Sequence, residues 1–311
     1  MQNCKNGDQN ENTMKPDRQI NVQQDPVLLE KAEAFAARIT GRAGIYIKDL
    51  TDGREALALS ADAAGRDEFE SASVIKVPVM IEAFRRIEAG MISADTEVRL
   101  SEADKVPSGR LLHYAEECAA GRIAPGELFP ESGVLNYMET GRKFTVRELV
   151  ALMIVISDNT ATNLLIDLLG KQQINDTLRE LGCTATRLNR KLFEPVPPGA
   201  SRRETENQIS VREMGSLLEK MYRGELVSAD ASRKMTAILT NQQLNYKIPF
   251  FLPDLPIAHK TGEDAGITND IALIYGDRPF LLCLAANDTD VPQTERAYQD
   301  IARDIARSIY K

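Results

Sequence analysis

The sequence predicts an α+β protein with two lobes. One lobe is an antiparallel sheet built from both chain ends and flanked by helices, and the other is all-α. Two observations predict this division: short strand-like segments occur near both ends of the chain, whereas the middle consists of segments with helical periodicity. We therefore place a single domain at residues 26–311. Its sheet lobe takes about 26–70 and 245–311, and its helical lobe about 71–244.

The sheet lobe begins after a polar tail. Residues 1–25 are rich in Asn and Gln and have no apolar core, so we predict a disordered tail or linker and find no signal peptide there. Apolar side chains between Leu28 and Ile39 recur with a helical period. Residues 44–50 and 55–60 then predict a hairpin around a Thr-Asp-Gly turn.

The middle of the chain predicts six helices. Thr145 and Glu148 have the spacing of a capping box at the start of one of them, and Gly90 ends another. We interpret residues 107–131 as a local insertion or duplication to which the sequence assigns no role. The predicted middle helices are 74–89, 145–156, 159–169, 174–181, 210–222 and 228–240. Strands at 257–260, 269–275 and 279–286 and a final helix at 293–310 follow.

Composition excludes several classes of function. The chain has 311 residues and a net charge of −8, which argues against nucleic acid or an anionic membrane surface as a partner. No apolar run is long enough to span a membrane. With only His113 and His259, a histidine triad or a histidine metal site has few candidates, and we expect no metal and no cofactor. The four cysteines lack C-x-x-C spacing and predict neither a zinc site nor a disulfide framework: Cys4, Cys118, Cys183 and Cys283.

Three short motifs indicate the chemistry. Ser73 and Lys76 are three residues apart, so a helix starting at Ser73 would place both on one face, with the amine able to take the hydroxyl proton. Ser-Asp-Asn follows at residues 157–159 and Lys-Thr-Gly at residues 260–262. Each motif is weak alone, but their combination and order are typical of serine enzymes that form acyl-enzymes with β-lactams.

From about residue 26 to 311 the chain resembles the class A β-lactamase and penicillin-binding serine hydrolase family. The three motifs carry this resemblance, together with the Thr-Val-Arg-Glu-Leu segment at 145–149 and the Thr-Arg-Leu-Asn-Arg segment at 186–190. The resemblance implies the two-lobed β-lactamase/transpeptidase-like fold. It also implies that the protein acts outside the cytoplasm, and we expect a monomer that binds a small-molecule β-lactam or a D-Ala-D-Ala peptide.

The resemblance also implies a role for each motif residue. Ser73 is the expected nucleophile, Lys76 the amine that activates it and Ser157 the proton shuttle to the departing nitrogen. Asn159 would bind the amide side chain of the substrate. The backbone N–H groups of Ser73 and Glu263 are the expected oxyanion donors. The Lys-Thr-Gly motif would hold the substrate carboxylate and let the strand approach closely: Lys260, Thr261 and Gly262.

The sequence departs from class A β-lactamases at the position of the glutamate that activates the deacylating water. Counted without gaps from Arg190, that position is Leu192, as in penicillin-binding relatives that lack the glutamate. A two-residue gap would place Glu194 there instead, and we favour the ungapped reading. Arg190 could close the base of this Ω-loop with Glu204 or Glu206.

Further residues near the motifs are predicted to have either a binding role or a structural role. The strand after the Lys-Thr-Gly motif lacks the arginine that often helps to bind the substrate carboxylate, and Lys247 could replace it, although we favour a surface position for that lysine. His259 alternates with Lys260 and should point away from the cleft, and Asp158 should be structural.

Three functions remain open from the sequence. The first is a D-Ala-D-Ala peptidase that is acylated by β-lactams at Ser73 and hydrolyses them slowly, and we favour it because of Leu192. The second is a true class A β-lactamase that confers antibiotic resistance, if Glu194 or another base reaches the water. The third is a non-hydrolytic sensor of β-lactams or peptidoglycan that retains the acyl group.

Overall fold

The computed structural model describes residues 24–106, 133–195 and 199–310. The predicted tail, apart from Gln24 and Asp25, and the predicted insertion at residues 107–131 lie outside these ranges. His113 and two of the four cysteines also lie outside them. No helix within the described ranges has the length and apolarity needed to cross a membrane.

A five-stranded antiparallel sheet joins the two ends of the chain. Its order is β2-β1-β9-β8-β7, and β1 pairs with β9 in a register that sets Ile45 opposite Leu284. The predicted sheet built from both chain ends is therefore confirmed. The strands in chain order are β1 Arg42–Asp49, β2 Glu55–Leu59, β3 Phe69–Glu70, β4 Glu97–Arg99, β5 Lys143–Thr145, β6 Gln208–Ile209, β7 Ile257–Asp264, β8 Ile267–Ile274 and β9 Phe280–Asn287.

The predicted helices are present, with ends shifted by a few residues. The side chain of Asp25 caps the first helix by accepting hydrogen bonds from Val27 N and Leu28 N, and Thr145 and Glu148 form the predicted capping box. The helices in chain order are α1 Pro26–Arg38, α2 Lys76–Glu88, α3 Val146–Val155, α4 Asn159–Leu169, α5 Lys171–Glu180, α6 Arg202–Thr205, α7 Val211–Tyr222, α8 Ala229–Thr240 and α9 Val291–Ile309.

Two apolar cores lie on opposite faces of the sheet. On one face α1 and α9 pack against β1 and β9, and the rings of Phe35 and Tyr298 lie 5.8 Å apart. The other face is covered by α7 and is continuous with the core of the helical region. Gly215 allows α7 to approach the sheet, because a Cβ there would lie 2.4 Å from the ring of Tyr46. The sheet is thus buried on both faces.

The candidate site lies where the sheet edge meets the helical region. Residues 72–75 form a 3-10 turn that leads directly into α2 and packs against β7 and β8. Two-residue strands hold the chain on either side of this junction, because Phe69 of β3 pairs with Ile209 of β6. The sequence did not predict these short strands, since two residues are too few to show a period.

Candidate active site

Ser73 lies in the 3-10 turn before α2 and is partly exposed to the cleft. The residue before it, Ala72, has a φ of 41°, a left-handed conformation that a residue with a Cβ rarely adopts. Such conformations persist where the surrounding structure enforces them, which is common at functional sites. The cleft in front of Ser73 is also lined by Asn159, Leu192 and Glu263.

Lys76 is buried directly beneath Ser73. Its Nζ lies 2.9 Å from Ser73 Oγ, 2.9 Å from Ser157 Oγ and 2.8 Å from Asn159 Oδ1. Burial, reinforced by the charge of Lys260, holds the pKa of Lys76 well below its usual value, while Asp158 opposes the shift. A lowered pKa favours the neutral amine, which is the form that can accept the Ser73 proton.

Ser157 lies between the two buried lysines. Its Oγ accepts hydrogen bonds from Lys76 Nζ at 2.9 Å and from Lys260 Nζ at 3.0 Å. Its φ of 58° is again left-handed. The next residue fixes this geometry, because Asp158 caps α4 through Ala161 N and accepts hydrogen bonds from two further backbone N–H groups. The structural position expected for Asp158 is the one observed.

Lys260, Thr261 and Gly262 lie in the middle of β7 and are all buried. Burial lowers the pKa of Lys260 to about 7, against the attraction of Asp270. Gly262 lets the strand approach the 3-10 turn that contains Ser73, which we call the nucleophile turn. A Cβ on Gly262 would lie 2.7 Å from Ser71 O and 3.2 Å from Ser73 N. This close approach places the backbone of Ser73 next to the backbone of Gly262, two residues after Lys260.

Lys247 is not a surface lysine, and the favoured interpretation of it was wrong. Its side chain is 0% exposed, and its Nζ donates to Gly262 O at 3.3 Å and to Asn269 O at 3.2 Å. It also forms ion pairs with Glu263 at 3.0 Å and with Glu295 of α9 at 3.6 Å. A second ammonium group therefore lies behind the Lys-Thr-Gly strand.

The loop that carries Lys247 is held in place by a buried polar network. Asp270 accepts a hydrogen bond from Ile248 N at 3.1 Å and pairs with His259 Nδ1 at 3.1 Å. The other ring nitrogen of His259 lies 2.9 Å from Asn245 Oδ1. His259 thus contacts the supporting loop, as expected for a structural residue, and the network positions the lysine.

Leu192 lines the cleft, and its partly buried side chain also packs against the core of the helical region and borders a second depression. It lines the same depression as Ser73 and Asn159, and its backbone is held by both ends of the Asn163 amide group, which donates to Leu192 O and accepts from Leu192 N, each at 2.9 Å. Asn163 lies on α4, one turn after Asn159. The helix that carries the Ser-Asp-Asn motif therefore also fixes the Ω-loop.

Glu194 does not line the cleft. Its side chain is exposed, accepts a hydrogen bond from Lys191 N at 3.0 Å and lines a neighbouring depression that shares Leu192 with the cleft. Arg190 closes the base of the loop with Glu206 at 2.7 Å, one of the two partners considered from the sequence. Of the two candidate positions, Leu192 therefore lines the cleft with Ser73 and Glu194 does not, and the ungapped alignment stays a prediction.

The structure brings together all three motifs predicted from the sequence. Sequence reasoning missed the buried position of Lys247, the Asn163 clamp and the position of the Glu263 side chain in the cleft. The clamp joins residues 29 positions apart, so no local pattern could have indicated it. A possible signal for Glu263 was its place directly after the Lys-Thr-Gly motif.

The chain belongs to the β-lactamase enzyme family, because the model of that family matches residues 28–311. Family membership supports a serine hydrolase that acts through an acyl-enzyme. The β-lactamase of Sphaerobacter thermophilus DSM 20745 is similar in structure, with 27% sequence identity and a TM-score of 0.75 over 92% of this chain and 98% of that one.

The fold is also shared with PBP-A. That structure has 22% identity and a TM-score of 0.75, and the match covers 92% of this chain and 97% of that one. A leucine-to-glutamate mutant of PBP-A, solved as an acyl-enzyme complex with penicillin G, matches equally well. At this identity the likeness establishes the fold alone.

Proposed function

We propose that the protein is a D-Ala-D-Ala peptidase of the penicillin-binding type, which β-lactams acylate at Ser73 and which hydrolyses them slowly. The observation that carries this proposal is Leu192, an aliphatic residue clamped at the cleft where a β-lactamase needs a base. Four carboxylates also line the cleft: Glu70 and Glu206 are paired with arginines, Glu263 is paired with Lys247, and Asp264 is exposed.

Acylation follows from the contacts of Ser73. The neutral amine of Lys76 takes the proton from Ser73 Oγ, 2.9 Å away, as the oxygen attacks the substrate carbonyl. The N–H groups of Ser73 and Glu263 hold the oxyanion. Ser157 Oγ, in contact with both lysines, passes a proton to the departing nitrogen, while Lys260 holds the substrate carboxylate.

Deacylation distinguishes the two enzyme classes. A β-lactam keeps its departing nitrogen tethered to the acyl group, so its ester is released only when water attacks it. Leu192 cannot polarise that water, and the β-lactam ester therefore persists. A D-Ala-D-Ala peptide loses its terminal D-Ala on acylation, which opens the cleft to an acceptor. Because such peptides occur in the cell wall, we expect the protein to act outside the cytoplasm.

Intact-protein mass spectrometry after mixing with benzylpenicillin tests this proposal. We expect an adduct of one penicillin mass that maps to Ser73 and lasts for hours, together with release of D-Ala from a D-Ala-D-Ala peptide. The Ser73→Ala variant is the control and should form no adduct. An adduct that survives this substitution would refute the mechanism.

A true β-lactamase is the second candidate, and the 27% identity to the Sphaerobacter thermophilus enzyme favours it. Steady loss of nitrocefin without a lasting adduct would establish this activity and refute the peptidase proposal. A lasting adduct without any release of D-Ala would indicate a sensor instead.

A further inference from the structure

Glu263 introduces a carboxylate beside the expected carboxylate-binding residues. It lies on β7, two positions after Thr261, so the two side chains share a face of the strand about 7 Å apart along the chain. Its side chain is 45% exposed and lines the cleft together with Ser73. A substrate carboxylate on Lys260 and Thr261 would therefore lie next to another negative group.

The same carboxylate engages the second cation of the site. Lys247 Nζ lies 3.0 Å from Glu263 Oε1 and 3.6 Å from Glu295, donates to two backbone carbonyls and is also attracted by Asp270. Ionised Glu263 therefore adds to the negative charge around this buried ammonium. When Glu263 is protonated, one negative charge at the cleft is removed, and the repulsion of a substrate carboxylate there is weaker.

We propose that Glu263 is a specificity-determining residue that controls the binding of carboxylate-bearing substrates: ionised Glu263 repels their carboxylate beside Lys260 and Thr261, and protonated Glu263 removes this repulsion. This inference rests on the proposed function for its substrate class. It concerns the side chain of Glu263 and is separate from the expected role of its backbone N–H in the oxyanion site.

The charged groups around Glu263 allow it to titrate near neutrality. Partial burial, with repulsion from Glu295 of α9 and Asp270 of β8, raises the pKa of Glu263 to about 7, and the ion pair with Lys247 opposes this shift. Lys247 faces Glu263 from the preceding loop, whereas Lys260 lies three positions earlier on the other face of the same strand. Burial lowers the pKa of these lysines to about 8 and about 7. The lysines therefore titrate in the same range and must be separated from Glu263 by experiment.

The test compares rates of acylation by benzylpenicillin for wild type and Glu263→Gln at pH 6 and pH 8. A carboxyl group with a pKa near 7 loses about tenfold of its protonated form over this range. The Gln-to-wild-type rate ratio should therefore rise about tenfold from pH 6 to pH 8. The lysines titrate in both proteins. Dividing the Glu263→Gln rate by the wild-type rate at each pH therefore separates the effect of Glu263 from theirs. Glu263→Thr is a second variant with the same expectation, in case the first does not fold.

Two controls isolate charge recognition. Asp254→Asn removes the same charge from an exposed residue that does not line the cleft, and should leave the rate ratio within about twofold of one at both pH values. Benzylpenicillin methyl ester lacks the carboxylate, and for it the Gln-to-wild-type ratio should not change with pH. A ratio that is flat for benzylpenicillin, or that rises equally for the ester, would overturn the inference.

A binding measurement distinguishes failure of this inference from failure of the proposed function. If no β-lactam acylates wild type, the proposed function is wrong, and calorimetric binding of benzylpenicillin is then measured in the Ser73→Ala background. Affinity at pH 8 that increases about tenfold on adding Glu263→Gln, with little change at pH 6, would still support the inference. No binding, or an affinity indifferent to Glu263, would refute it.

Discussion

We expect acylation to depend on Lys76, because its amine contacts Ser73, Ser157 and Asn159. Its pKa is held well below the usual value, so the neutral amine appears as pH rises through that lowered pKa. In the Glu263→Gln variant, where that carboxyl group no longer titrates, we expect acylation by benzylpenicillin to increase with pH on the acidic side and to stop increasing well below pH 10. Adduct formation timed by mass spectrometry between pH 5 and 10 measures this, and a rise that continues to pH 10 would contradict it.

Lys76→Arg tests the same residue by keeping its charge. A guanidinium remains protonated and cannot act as a base. Acylation should fall about 100- to 10,000-fold, the range expected when a general base is lost. Thermal unfolding followed by circular dichroism checks that the variant is folded. A folded Arg variant acylated within tenfold of the wild-type rate would exclude Lys76 as the base.

We expect Leu192 to determine how long the acyl-enzyme lasts. Leu192→Glu would place a carboxylate at the clamped position beside Ser73, and we expect the decay of the benzylpenicillin adduct to accelerate about 100-fold or more. Leu192→Gln has the same size without a base and should not accelerate the decay. If both variants fold and decay at the wild-type rate, Leu192 does not occupy the position of the missing glutamate.

Strand β7 is the element that aligns the site, and Gly262 sets its distance from the nucleophile turn. Gly262→Ala would force the strand away from Ser71 O, and a displacement of about 1 Å can reduce catalysis about 100-fold. Gly215→Ala on α7 is the matched control, because its Cβ would crowd the ring of Tyr46 on β1, away from the cleft. We expect both variants to lose stability but only the first to lose acylation, measured with benzylpenicillin.

Whether an element was predictable depends on how it is stabilised. Helices such as α7 and α9 carry an apolar stripe and a local cap, both of which can be read from the sequence. The pairing of β3 with β6 depends on residues about 140 positions apart and has no local signal. The loop carrying Lys247 is similar, because contacts with Asp270 and His259 bury it.

At the scale of the whole molecule, three motifs far apart in the sequence meet because the two ends of the chain form one sheet. Order and spacing were enough to predict that Ser73, Lys76 and the Lys-Thr-Gly strand belong to one site, while the roles expected of them stay predictions. The same assembly concentrates the ammonium groups of Lys76, Lys247 and Lys260, each 0% exposed, in one region of the interior. Burying like charges together costs stability, so the site should be less stable than an apolar core of the same size.

Lys260→Met tests whether the buried charge of Lys260 lowers the stability of the fold while acylation requires it. The pKa of Lys260 is about 7 in the folded protein and near 10.4 when unfolded, so between these values the unfolded chain binds more protons and wild-type stability rises with pH. The cost of the buried charge is therefore complete below pH 7 and declines above it. We expect Met to raise the free energy of unfolding by about 1–4 kcal/mol at pH 6, while acylation by benzylpenicillin is lost.

The stability gained by Lys260→Met should shrink steadily from pH 7 to pH 9, when both proteins are unfolded by denaturant at each pH. Lys234→Met, at a lysine whose side chain is 63% exposed, is the control and should change stability by no more than about 0.5 kcal/mol at any of these pH values. A Met variant less stable than wild type at pH 6 would mean that the contacts of Lys260 with Ser157 and Thr261 O outweigh the burial of its charge. In that case the arrangement of lysines would stabilise the fold as well as the chemistry.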